Sequence, residues 1–243
     1  MRIHRLLRAA AACWLLCEIG LLLAQNAPGS LQSLKVISSS TGADSLLKGE
    51  SAAWDQIAPK HLALNRTPPL YDTDEPAALD ISNVDVRCVR TGDKLVVQLS
   101  WRDPTHDAVS LQEVPNSAPE TRFRKVQTEA NDRFFDAVAV MIPKEPGSQI
   151  APSLQMGDAE HPVQIYYWNA TRGAMLMEAQ GRGTTRRTGQ TFPTNGTYQH
   201  GVWCVAIELP NQRPGTLVAF AVWNGSQADR DGRKYFSVWQ VLE

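Results

Sequence analysis

Short runs that alternate apolar and polar residues recur along this chain, and that rhythm restricts the fold more than any other feature. In residues 94–101 the side chains of Leu95, Val97, Leu99 and Trp101 fall on one face, as in a strand, where successive side chains point to opposite sides. Comparable runs cover 84–90, 136–142, 162–168, 201–209, 217–223 and 235–242. Glycine, proline and aspartate punctuate them, so the expected fold is all-β, an antiparallel β-sandwich with long loops and a few short helices. The run 137–142 is apolar on both faces and is expected at the centre of a sheet.

Between these runs the pattern loosens. Residues 25–80 carry Pro68-Pro69 and Pro76 and read as an irregular N-terminal segment packed on a domain over 81–243. Residues 105–132 mix charge and proline, with a short helix expected near 123–130. Residues 169–200 read as a polar excursion rich in glycine, threonine and arginine. At the start, Arg2, Arg5 and Arg8 precede an apolar run over 9–24 that Glu18 interrupts. That layout predicts an export signal over 1–24, cleaved near Ala24 or Ala27, and a protein working outside the cytoplasm. The run is shorter than the ~20 residues of a spanning helix.

Twenty-four basic against 25 acidic side chains give a net charge of −1, which offers no generally basic surface for nucleic acid. Cys88 and Cys204 remain after the signal; both sit in expected strands, open equally to a disulfide or to two buried thiols. The chain has no GxSxG, P-loop, HExxH, CxxC or CxxCH, and its five histidines lack metal-ligand spacing. Ser45 and Lys48 match a serine–lysine spacing without supporting motifs, and residues 72–75 read as a solvated acidic turn.

The C-terminal quarter is more specific. Asn224-Gly225-Ser226 and Asp231-Gly232 supply turn chemistry between two strands, and Lys234 stands where the loop re-enters the second. A lysine there ordinarily snorkels to solvent. Its neighbours Tyr235, Phe236 and Trp239 read equally as walls of a site or as core aromatics.

Several phrases occur in a fixed order: Ser100-Trp101-Arg102-Asp103-Pro104-Thr105, Asp136-Ala137-Val138-Ala139-Val140, Met156-Gly157-Asp158, the run 162–168, Gly201-Val202-Trp203, the run 219–225 and Gly232-Arg233-Lys234. Together they resemble the haem-binding γ subunits of ethylbenzene dehydrogenase, dimethylsulfide dehydrogenase, selenate and chlorate reductases and the nitrite oxidoreductases. The resemblance covers roughly residues 81–242. It implies a sandwich related to carbohydrate-binding modules holding one non-covalent haem b, with Met156 and Lys234 as axial ligands of the iron. Met141 lies inside a strand and Met175 and Met177 in the polar excursion, which makes them less apt.

A thioether is a soft neutral ligand, and a lysine ligates only as the neutral amine, after losing a proton whose ordinary pKa is about 10.4. With both axial positions filled, the resemblance implies an electron-transfer subunit and not a catalyst. It would serve a periplasmic molybdenum oxidoreductase, beside a molybdopterin α subunit and an iron–sulfur β subunit, and pass electrons to or from a cytochrome c or membrane cytochrome. Arg102 and Arg233 read as propionate partners or as surface arginines. Two rival readings are a haem-free binding module using Trp54, Trp101, Trp168 and Trp223 as a stacking surface, and a stand-alone secreted cytochrome b.

Overall fold

The computed structural model describes residues 31–49, 52–67, 81–108 and 134–243. The expected signal, the acidic turn at 72–75 and the helix near 123–130 lie outside the described residues. The chain divides into a unit of 1–32, of which Leu31 and Gln32 alone are described, and a unit of 33–243. The strands are β1 (Gln32–Leu34), β2 (Val36–Ser38), β3 (Lys60–Ala63), β4 (Asn65–Arg66), β5 (Asn83–Thr91), β6 (Lys94–Arg102), β7 (Ala137–Pro143) and β8 (Val163–Asn169). They continue with β9 (Gly173–Ala179), β10 (Arg186–Arg187), β11 (Thr194–Gln199), β12 (Val202–Pro210), β13 (Leu217–Trp223), β14 (Tyr235–Phe236) and β15 (Gln240–Leu242). A five-residue helix, α1 (Ala43–Leu47), and two 3-10 turns complete the described elements.

Two sheets form the sandwich. The larger runs β15-β13-β7-β8-β9-β10, with β14 bridging β13 and β4; the smaller runs β11-β12-β6-β5-β2, with β3 also on β5. The fully apolar β7 sits between β13 and β8, where both of its faces are covered. The pairing of β2 with β5 is parallel, a departure from the antiparallel expectation.

Alternation decides which side chains meet. Val86, Val97, Leu99, Trp101, Val205 and Ile207 of the smaller sheet pack against Val138, Val140, Trp168, Phe220 and Val222 of the larger one. The outer face of the smaller sheet is closed by Leu46 and Leu47 of α1 with Trp54 and Ile57, over Val96 and Ala206. Trp54 fastens this cover by donating to Leu46 O at 3.0 Å. The outer face of the larger sheet carries a third apolar cluster, with Ala137, Ala139, Met141, Ile165, Ala219 and Trp223.

Three segments differ from the sequence reading. The polar excursion supplies β9, β10 and β11, whose exposed faces account for its polarity. Residues 32–66 add four short strands. The run 235–242 breaks after Phe236 because Ser237 trades a ladder position for a side-chain bond: Phe220 N–H donates to Ser237 Oγ, and Ser237 N–H to Phe220 O, each at 2.9 Å. Cys88 and Cys204 are both free. Their strands flank β6 on either side, so they are not neighbours, and Cys88 alone of the two faces the inter-sheet core. No helix among the described residues is long and apolar enough to cross a membrane.

Candidate functional site

The site lies on the outer face of the larger sheet, and strand alternation aims the side chains there. Tyr235 is fully buried in the inter-sheet core, so its neighbours Lys234 and Phe236 point the other way. Both line a recess floored by Ala139, Ala219 and Ala221. Alanines at 137 and 139 of β7 and at 219 and 221 of β13 leave room above the sheet that larger side chains would fill. Of the three candidate wall aromatics, Phe236 lines the recess, Trp239 belongs to the outer cluster and Tyr235 to the interior.

The loop that delivers Lys234 is held by buried acids. The Asp136 carboxylate accepts from Gly225 N–H at 2.9 Å, Trp203 Nε1 at 2.9 Å and Asp107 N–H at 2.8 Å. A side chain on Gly225 would meet Phe134 O at 2.2 Å, so only glycine fits there. Asn224 Oδ1 accepts from Ser226 N–H and Oγ. Asp229 takes a two-pronged bond from Arg66 at 2.6 and 2.7 Å, and Arg233 Nε approaches it at 3.4 Å. Thr67 then donates from both N–H and Oγ1 to Lys234 O at 2.9 Å, fixing the backbone while the side chain turns into the recess.

Met156 arrives from the β7–β8 connection. Its φ is +75°, a left-handed conformation that non-glycine residues rarely adopt. Gly157 follows at φ +76°, and a Cβ there would stand 2.8 Å from His161 O. Asp158 closes the turn by accepting from His161 N–H at 2.9 Å, Glu160 N–H and Ser153 N–H. Trp239 Nε1 ties the same connection to the C-terminal segment through Pro152 O at 2.8 Å. Each residue of the Met-Gly-Asp phrase thus has a structural task. Strain of this kind, held by surrounding bonds, is characteristic of functional positions.

The two sequence candidates meet. Lys234 Nζ lies 2.9 Å from Met156 Sδ and 5.4 Å from the centre of the Trp223 ring. The lysine is only 7% exposed and pairs with no carboxylate among the described residues. A thioether is a weak, neutral acceptor, so the ammonium is only partly compensated for lost water. Burial, helped by the Arg182 charge, pulls the Lys234 pKa down from 10.5 to about 8. Releasing its proton at pH 7 then costs about 1.4 kcal/mol, against almost 5 for a solvated lysine. A poised amine beside a thioether is a nitrogen–sulfur donor pair suited to a soft or borderline metal centre, and haem iron accepts such ligands.

A cavity of about 650 Å³ opens beside the pair, lined by Met156, Ile165, Tyr167, Trp223 and Asp231 among others. Its volume falls in the ~300–1,000 Å³ range of cofactor sites. Met175 and Met177 of β9 also line it, although the sequence reading had set them aside with the excursion. So do Arg172, Arg182 and Arg187, which the sequence did not single out; of the two arginines it did, read as propionate partners or surface residues, Arg102 ends β6 in the other sheet and Arg233 approaches Asp229. Alanines at 139, 219 and 221, opposite larger inner-facing neighbours, were the legible signal for the recess. Trp54, Trp101, Trp168 and Trp223 are all buried and divide among three clusters, so they share no exposed stacking face.

A two-sheet sandwich with a buried lysine–methionine pair over one outer face defines the class. The family model described as ethylbenzene dehydrogenase matches residues 51–200, and the chain belongs to that family. The matched span includes Met156 and stops short of Lys234. Over 78% of this chain it is 31% identical to a Haloferax mediterranei protein named as a respiratory nitrate reductase heme subunit, ORF7. It is 27% identical over 76% of its length to dimethylsulfide dehydrogenase subunit gamma of Rhodovulum sulfidophilum. With chlorate reductase subunit gamma of Ideonella dechloratans it shares 24% over 64%. The matches span 65%, 70% and 62% of those proteins, so the chain covers just under two thirds of the first. A carbohydrate binding module family 9 from Caldicellulosiruptor kristjanssonii in complex with glucose is similar at a TM-score of 0.39 and 13% identity, covering 85% of each chain.

Proposed function

We propose that this chain is the electron-transfer γ subunit of a molybdenum oxidoreductase, that it holds one non-covalent haem b, and that Met156 and Lys234 are the axial ligands. The observation that carries the reading is the contact of a buried, carboxylate-free lysine with a strained methionine beside a cofactor-sized cavity. The names of the relatives, a heme subunit and two gamma subunits of oxidoreductases, support it.

The haem supplies one-electron redox chemistry between an iron–sulfur partner subunit and an external cytochrome. The protein's residues do the rest. Lys234 binds as the neutral amine, which its low pKa makes accessible near neutral pH. Met156 offers a thioether, which stabilises the reduced metal and raises the potential. Met156 and Lys234 would hold the iron with donors from the chain alone, and the substrate chemistry would belong to the α subunit. The recess of Ala139, Ala219, Ala221 and Phe236 excludes water from the pair. Export to the periplasm by the N-terminal signal places the subunit beside such partners.

The test is titration of the purified mature protein with haem b. The reading expects saturation at one haem per chain with a low-spin absorption spectrum in both oxidation states. A spectrum that stays that of free haem, or a high-spin adduct, would refute it.

A further inference from the structure

We infer that Arg172, Arg182 and Arg187 form an anion-binding end to the cavity that fixes which way round the haem sits, its two propionates toward these guanidiniums and its vinyl edge toward the alanine-floored recess. The inference rests on the haem reading above and deepens it.

The three arginines come from separate places: Arg172 from the β8–β9 turn, Arg182 from the β9–β10 connection and Arg187 from β10 itself. All three line the cavity. None forms an ion pair with a described residue, whereas Arg66, Arg186 and Arg233 each have a carboxylate partner. Among the described residues, the one carboxylate lining the same cavity is Asp231. Three guanidiniums against one carboxylate leave two positive charges, the number needed to balance two propionates. Arg182 reaches the loop that delivers Lys234: its Nη2 lies 3.9 Å from where a side-chain carbon on Gly232 would stand.

The adjoining recess, which shares Met156, Ile165 and Trp223 with the cavity, has the opposite character. Ala139, Ala219, Ala221, Leu154 and Phe236 present only carbon to an occupant there. A charged edge buried against that wall would lose its water without compensation, whereas vinyl and methyl groups gain by leaving water. Arginine suits the charged end because its planar fork matches a carboxylate two-on-two. These side chains are exposed, so a single pair would contribute little. Convergence of several on one rigid dianion adds the weak pairs and makes the sum dependent on ionic strength.

The test titrates apo-protein with haem b and with haem dimethyl ester, which keeps the porphyrin and iron but has no propionate charge. Binding is followed by absorbance in the wild type and in an Arg182→Gln/Arg187→Gln variant, with circular dichroism as the fold control. The wild type should bind haem at least about tenfold more tightly than the ester, and added salt should erode that preference. The double variant should lose affinity for haem, keep its affinity for the ester, and show little preference between them. Equal wild-type affinities for the two, or a variant that loses both alike, would overturn the orientation while leaving the haem reading intact. No absorbance change with either porphyrin would overturn both.

Discussion

Replacing Lys234 by methionine, which keeps the length and removes the charge, should make the apo-protein more stable. Lys234 is 7% exposed, and its best polar contact is a thioether sulfur. Its pKa falls from 10.5 to about 8 on folding. At about 1.36 kcal/mol per pH unit, the charged lysine costs the folded state up to about 3 kcal/mol below pH 8. The contact with Met156 and the stacking of Nζ over Trp223 at 5.4 Å return part of that, on the order of 1 kcal/mol. Lys234→Met should therefore raise the unfolding free energy at pH 7 by about 2 kcal/mol.

The sign with pH is fixed by linkage. Between about pH 8 and 10.5 the unfolded lysine keeps its proton and the folded one does not, so wild-type stability gains on the variant as pH rises through that window. Urea unfolding of both apo-proteins at pH 7 and at pH 10.5 measures the difference. A variant less stable than wild type at pH 7, or a gain unchanged at pH 10.5, would refute the reasoning.

Three further outcomes are expected. Gly157→Ala puts a Cβ 2.8 Å from His161 O at φ +76°, so thermal unfolding of apo-protein should show a loss of about 2 kcal/mol or more, with weakened haem binding as Met156 is displaced. Ala221→Leu extends a side chain into the recess; haem titration should show at least about tenfold weaker binding, while urea unfolding of apo-protein changes by less than about 1 kcal/mol. Burial, with the Asp136 charge, raises the Asp103 pKa to about 6. Folded protein then binds the extra proton between about pH 4 and 6, and stability falls as pH rises through that interval. Asp103→Asn should flatten that fall in a pH series of unfolding curves.

Much of the sandwich was legible because short apolar runs mark β5, β6, β7, β8, β12 and β13, alternating in β5 and apolar on both faces in β7. Most strands that escaped notice were short or lay at a sheet edge; β9, seven residues between β8 and β10, escaped because most of its side chains are only half-buried. In β10 and β11 most side chains face solvent, so no apolar rhythm marks them. β4 is two residues long and exists because Tyr235 and Phe236 offer it an edge. Ser237 hid the break between β14 and β15, since a serine that substitutes its Oγ for a ladder acceptor leaves no period behind.

The site was half legible. Met156 and Lys234 were found through ordered phrases, and the structure sets their donor atoms in contact although 78 residues separate them. The arginines at 172, 182 and 187 were missed because a charged, glycine-rich stretch looks the same whether it lines a cavity or faces open water. Convergence of β9, β10 and the 224–233 loop decides that, and convergence is a property of the sheet order.

The central claim is tested most directly by the low-temperature electron paramagnetic resonance spectrum of the ferric, haem-loaded protein beside that of Lys234→Ala. The account predicts a low-spin signal in the wild type that gives way to a high-spin or differently ligated one in the variant. Identical low-spin spectra from the two would show that Lys234 is no ligand, and would contradict the account.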